Sequence, residues 1–184
     1  QHGLIFFRYA PAYGVCYRGG CVKARNLLLS GVLLATPAFA EDVAYGGRTL
    51  DVALDQEAKP IRSMQGSHYS ISLPPDQLIS KAQTCLAAQS GMHVDSSDPA
   101  MGQLHATVKL SYRARFSSFT VSSRLTLLAA GGGFQITETG LGVAAAGSEA
   151  AADVQPLSQK ESGWEKSLDA LILGENALVD CLYR

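Results

Sequence analysis

Leu104-His105-Ala106-Thr107-Val108-Lys109-Leu110-Ser111-Tyr112-Arg113 is the stretch on which the fold turns. Leu104, Ala106, Val108, Leu110 and Tyr112 take every second position, with mostly polar residues between them. A period of two belongs to a strand with one dry face and one wet face. The pattern returns at Phe119, Val121, Leu125 and Leu127, while Ser118, Thr120, Ser122, Arg124 and Thr126 point the other way. Ala129-Ala130-Gly131-Gly132-Gly133 supplies glycines for a reversal, and Phe134 and Ile136 open a third strand. Residues 102–141 are therefore expected to form three consecutive antiparallel strands, with Leu110 and Leu127 in the core.

Upstream, Tyr69, Ile71 and Leu73 alternate and predict a strand over 67–73. Pro74-Pro75 ends it, and Pro75 suits the first turn of a helix because its missing N–H is not needed there. Asp76 adds a charge that the helix dipole favours. Leu78, Ile79, Ala82, Cys85, Leu86 and Ala87 recur at helical spacing up to Gly91, a natural helix stop. Residues 92–97 then predict a short strand. Further upstream, 41–65 reads as an extended lead-in with at most one short edge strand.

Downstream, 142–163 is rich in alanine and glycine and then polar, and is expected to be a mobile loop. Trp164, Leu168, Leu171, Ile172, Leu178, Cys181 and Leu182 form a helical stripe, which Gly174 is expected to kink or split. The order of elements is an α+β layout, one antiparallel sheet with helices on one face, over 66–184.

The amino terminus carries a different pattern. Lys23 and Arg25 precede the apolar run from Asn26 to Thr36; Pro37 and Ala38-Phe39-Ala40 follow. Charge, short apolar run and small residues in that order make a secretory signal peptide over 22–40, too short to span a bilayer. Residues 1–21 fit no role beside it and are expected to be an upstream extension that is not translated. Cleavage after Ala40 removes Arg8, Arg18, Lys23 and Arg25. It leaves 11 basic residues against 16 acidic ones, a net charge of −5. A chain of that charge does not hold nucleic acid by electrostatics, and no second apolar run would keep it inserted in a membrane. The expected location is the bacterial periplasm or the medium.

Candidate sites are few. Cys85 and Cys181 each lie on the apolar stripe of a helix. Two helices on one sheet face bring those stripes together, and an oxidising compartment then favours a disulfide. His68, His93 and His105 have no partners at ligand spacing. Gly66-Ser67-His68-Tyr69-Ser70 lacks the second glycine of a nucleophile elbow, and Gly131-Gly132-Gly133 lacks the Lys-Ser/Thr of a phosphate loop. No catalytic residue, metal ligand or cofactor site is assigned. The wet face of the long hairpin carries Lys109, Arg113, Arg115 and Arg124, a locally basic surface suited to an anionic partner.

The span 67–184 resembles a bacterial domain-of-unknown-function family described as having a TATA-binding-protein-like fold. The likeness lies in the element order, in Asp98-Pro99-Ala100-Met101-Gly102-Gln103-Leu104 leading into the long strand, and in Gly132-Gly133-Phe134-Gln135-Ile136 leaving the hairpin. The resemblance implies a curved sheet with two helices on one side. It brings no activity and no site residues, and its name concerns shape, not DNA binding. The expected function is that of a non-enzymatic envelope module that binds an envelope protein or a polysaccharide. The alternative is a small-ligand carrier or hydrolase with a pocket between the sheet and the 142–163 segment.

Overall fold

The computed structural model describes residues 40–114, 116–148 and 153–184. The 1–21 extension and, Ala40 apart, the 22–40 leader lie outside the described residues, as does Arg115.

The three expected strands are β6 (Gln103–Ala114), β7 (Ser117–Ala130) and β8 (Gly133–Ala145), paired antiparallel. Leu104 lies opposite Leu127, Ala106 opposite Leu125 and Leu127 opposite Ile136, and all five side chains are buried. Leu110 is opposite Val121 and packs partly buried against the same core. Ala130 pairs with Gly133 across Gly131 and Gly132, whose φ values of +60° and +78° explain the glycines. A two-residue turn with both positions left-handed matches the twist of its strands, and side chains rarely adopt it.

The sheet extends further toward the amino terminus than 41–65 suggested. Instead of a lead-in with one edge strand, that stretch forms β1 (Ala40–Tyr45), β2 (Arg48–Ala53) and β3 (Ile61–Gln65). Leu50, Val52, Ile61 and Met64 are buried in the common core. Gly46 and Gly47, at φ +55° and +76°, turn β1 back onto β2. The strands are short and a bulge interrupts β2 against β3 between Asp51 and Val52, so no long alternation marks them in sequence.

Conversely, the strand expected over 67–73 reduces to β4 (Tyr69–Ser70). β5 (Met92–Asp98) is as expected, and β9 (Gln155–Pro156) lies in the segment expected to be a loop. That segment also includes the end of β8, so the loop begins later than the composition indicated. The main order is β1-β2-β3-β8-β7-β6-β5. One edge of β8 belongs to β7. The other is shared by β4 at Phe134, β3 at Thr137, Glu138 and Thr139, and β9 at Gly142 and Val143.

Both helices, α1 (Pro75–Ala87) and α2 (Trp164–Tyr183), cover one face of the curved sheet. α1 contributes Leu78, Ile79, Ala82 and Leu86 to the core, and α2 contributes Leu168, Leu171, Leu178 and Leu182. α2 is a single helix through Gly174 and does not split there. The glycine serves close packing: a Cβ at Gly174 would fall 2.7 Å from Met92 Cε and 2.8 Å from Leu110 Cδ1. The approach of helix to sheet offsets a helix-propensity cost of about 1 kcal/mol.

Candidate functional site

The register of β6 and β7 sets one group of polar side chains side by side on the face opposite the helices. His105 faces Thr126, Thr107 faces Arg124, Lys109 faces Ser122, Ser111 faces Thr120 and Arg113 faces Ser118. Lys109, Arg113 and Arg124 are all exposed. Among the described residues none of the three makes an ion pair. Hydrogen bonds tie their neighbours instead: Thr107 Oγ1 donates to Asp95 Oδ2 at 2.7 Å, and His105 Nδ1 lies 3.1 Å from Thr126 Oγ1. Among the described residues this face is therefore a polar lattice carrying three cations without ion partners.

Lys109 stands between two depressions on this face. One, of about 260 Å³, is bounded by Lys109, Ser111, Thr120 and Ser122 on the sheet and by Gly147, Ser148 and Val154 of the following segment. It lies between the sheet and the 142–163 segment, and its sheet side carries the hydroxyls of Ser111, Thr120 and Ser122 together with Ala144. The second, of about 370 Å³, lies toward β5 between Gly91, His93, Asp95, Thr107 and Lys109.

A second polar group, absent from the sequence expectations, lies on the helix side. Glu175 of α2 is 1% exposed and receives Arg48 of β2, whose Nε lies 3.2 Å from Glu175 Oε2 and whose Nη2 lies 3.2 Å from Oε1. Tyr69 Oη donates to the same carboxylate at 3.2 Å, and Arg48 Nη2 also donates to Asn176 Oδ1 at 2.7 Å. Gly66 leaves the room: a Cβ there would run into Glu175 Oε1. Burial pushes the Tyr69 hydroxyl's pKa up, and the Glu175 charge adds to it.

Beside this group lies Glu138 of β8, also 1% exposed, whose Oε2 accepts from Ser123 Oγ at 2.6 Å. Burial raises its carboxyl pKa from 4.5 to about 7; the Ser123 hydrogen bond works against the shift and the Glu175 charge adds to it. A buried carboxylate with one hydroxyl partner is costly, and an ion pair in the interior holds only if its other hydrogen bonds are made. Strand parity could have located both strand members. Ser123 falls in the inward set with Val121 and Leu125, and Glu138 follows Phe134 and Ile136 by twos.

Cys85 and Cys181 are joined by a disulfide between α1 and α2, their Cα atoms 5.9 Å apart. His68, His93 and His105 are exposed and separate, and no cluster of three His, Cys, Asp or Glu side chains able to hold a metal occurs among the described residues. No described helix is long and apolar enough to cross a membrane.

No protein-family model matches the chain, and neither does any curated protein. Solved structures do. A DUF4468 family protein from Bacteroides ovatus aligns with a TM-score of 0.44 at 10% identity, over 74% of this chain and 90% of that one. A TBP-like protein from Parabacteroides distasonis aligns with a TM-score of 0.48 at 10% identity, over 78% of this chain and 97% of that one. These two neighbours carry the descriptions that the sequence resemblance named, a bacterial domain of unknown function and a TBP-like fold. The α+β assignment itself rests on the strand registers and helix packing above.

Proposed function

We propose that the chain is an exported, non-enzymatic binding module of the bacterial envelope that holds an anionic partner, an acidic polysaccharide or protein, on the outer face of β6 and β7. The observation that carries this reading is the unpaired trio Lys109, Arg113 and Arg124 on a chain whose mature form would be acidic. Lys109 beside the hydroxyls of Ser111, Thr120 and Ser122, with Arg113 and Arg124 on the same face, supplies both charge and hydrogen bonds to carboxylated sugars or acidic side chains. Export is supported by the Cys85–Cys181 bridge, since such bonds persist in oxidising compartments.

Retention on immobilised polygalacturonate tests the reading. Wild-type protein is expected to be retained at low salt, and the double variant Lys109→Glu, Arg124→Glu to flow through with an unchanged thermal unfolding curve. Equal retention of the two proteins would overturn it. The hydroxyl-lined depression of about 260 Å³ favours a second reading, a carrier of a small polar ligand beside Lys109.

A further inference from the structure

β6 is longer than the strand that covers its outer edge. β5 pairs with it only as far as Met92 opposite Val108, and the ladder closes with Lys109 N–H donating to Gly91 C=O at 2.7 Å. Gly91, at φ +81°, then leads the chain away toward α1. Backbone groups of an antiparallel strand alternate between its two neighbours. With Lys109 turned toward β5, Ser111 and Arg113 send their N–H and C=O to the same side. Among the described residues no strand meets them there.

The two sides of this open edge differ in chemistry. On the helix side it borders a shallow groove of about 380 Å³, lined by Leu110, Tyr112, Ala170, Leu173 and Gly174 and, on the helix, also by the Lys166–Asp169 ion pair. Leu173, 71% exposed, gives the groove an apolar side chain open to solvent. On the opposite side stand Lys109 and Arg113 without ion partners. An extended chain laid beside β6 would present alternate residues to these two environments.

We propose that this edge accepts an extended peptide segment of a partner protein, added as a strand beside Leu110 to Ala114. Its apolar side chains enter the groove under Leu173, and its acidic side chains face Lys109 and Arg113. The free donors and acceptors of Ser111 and Arg113 supply the main-chain bonds, and the two faces supply the specificity. Charge selects this occupant over a second copy of the chain. Two β6 edges pairing with each other would bring two rows of Lys109 and Arg113 together on one face, and like charges across strands repel.

The test is fluorescence anisotropy with the full chain and a blocked heptapeptide of alternating glutamate and valine. Saturable binding is expected, weakened about tenfold or more when lysine replaces glutamate. Two N-methylated peptides give the signature of strand addition. Methylating one alternate set of amides removes the donors facing β6 and should cost about tenfold, while methylating the other set should cost little. Leu173→Asp and Ser111→Pro should each weaken binding by a similar factor. The first replaces an exposed side chain; the second removes an edge donor where proline is tolerated. Leu173→Asp should be retained on polygalacturonate like wild type, so this proposal and the anionic-surface reading fail separately. Absent binding, equal loss from both N-methylated peptides, or undiminished binding by Leu173→Asp would overturn the proposal. So would a chain that sediments as a dimer and becomes monomeric with Leu173→Asp, which would assign the edge to self-pairing.

Discussion

Replacing Glu138 with glutamine should abolish the loss of stability that rising pH causes at this site. In the fold the Glu138 carboxyl titrates near 7, against 4.5 in the ordinary case. Between those values the unfolded chain releases a proton that the folded chain keeps. Stability therefore falls as pH rises through this window, and below about 4.5 the two states are alike. The full difference corresponds to about 3 kcal/mol above pH 7. No large screening discount applies, because the side chain is 1% exposed. Glutamine cannot ionise, and its amide oxygen can accept the Ser123 hydroxyl in place of Oε2. Any packing or hydrogen-bond cost of the amide is independent of pH, so the informative quantity is the difference between two pH values. Urea unfolding of wild type and Glu138→Gln at pH 5 and pH 8 measures it. The variant should gain about 2–3 kcal/mol on wild type between pH 5 and pH 8. A gap that stays constant between them would show that Glu138 ionises as freely in the fold as in the unfolded chain, and the reasoning from burial would be wrong.

Removing the bridge with Cys85→Ser and Cys181→Ser should cost about 4–5 kcal/mol on the chain-entropy account, since it closes most of the domain; a loss under about 1 kcal/mol in urea unfolding would refute that account here. Leu127→Ala should cost about 2–5 kcal/mol, whereas Thr126→Ala, on the outer face beside His105, should cost well under that. Equal losses in thermal unfolding would contradict the register. Gly174→Ala should destabilise despite alanine's better helix propensity, because its Cβ would press on Met92 and Leu110. A rise in melting temperature would mean that helix and sheet are not held as close as the contact distances imply.

The long hairpin was legible because Leu104 to Tyr112 and Val121 to Leu127 alternate over enough positions to define a face. The helices and the meeting of Cys85 with Cys181 followed from stripes of apolar residues at helical spacing. β1 to β3 were not legible. Each has only five or six residues, and Asp42 and Asp51 stand directly opposite each other on the outer face. The three strands are anchored to the sheet through β3, which pairs with β8, a contact remote in sequence. Glu138 and Glu175 escaped because a charged residue is read as outward by default. Position alone placed them inward, Glu138 by strand parity and Glu175 between Leu171 and Leu178 on the helix stripe. Gly174 was read as a helix breaker because sequence shows its flexibility but not the neighbour that needs its small size. The basic face was legible as a set of residue types, but the partial cover of β6 by β5 was not, since that depends on where Gly91 leaves the ladder.

The shared edge of β8 is where the first three strands join the rest of the sheet. β3 pairs with β8 at three rungs, Ser63 with Thr139, Met64 with Glu138 and Gln65 with Thr137, and main-chain bonds from Gly66 N–H to Ile136 C=O and from Ile61 N–H to Leu157 C=O extend the join on either side. The middle rung carries the carboxyl whose ionisation the fold resists, and the Arg48–Glu175 pair is the polar rivet beside it. Deprotonation of Glu138 thus puts a charge in the core where β3 meets β8, beside Ser123 of β7. Cooperative units open where few bonds cross between them. Amide exchange at rising pH, corrected for intrinsic rates, would accordingly report loosening at the β3–β8 pairing ahead of the β6–β7 hairpin. The disulfide staples α1 to α2 and leaves β1, β2 and β3 outside its covalent tie, so it does not oppose a loosening at that pairing.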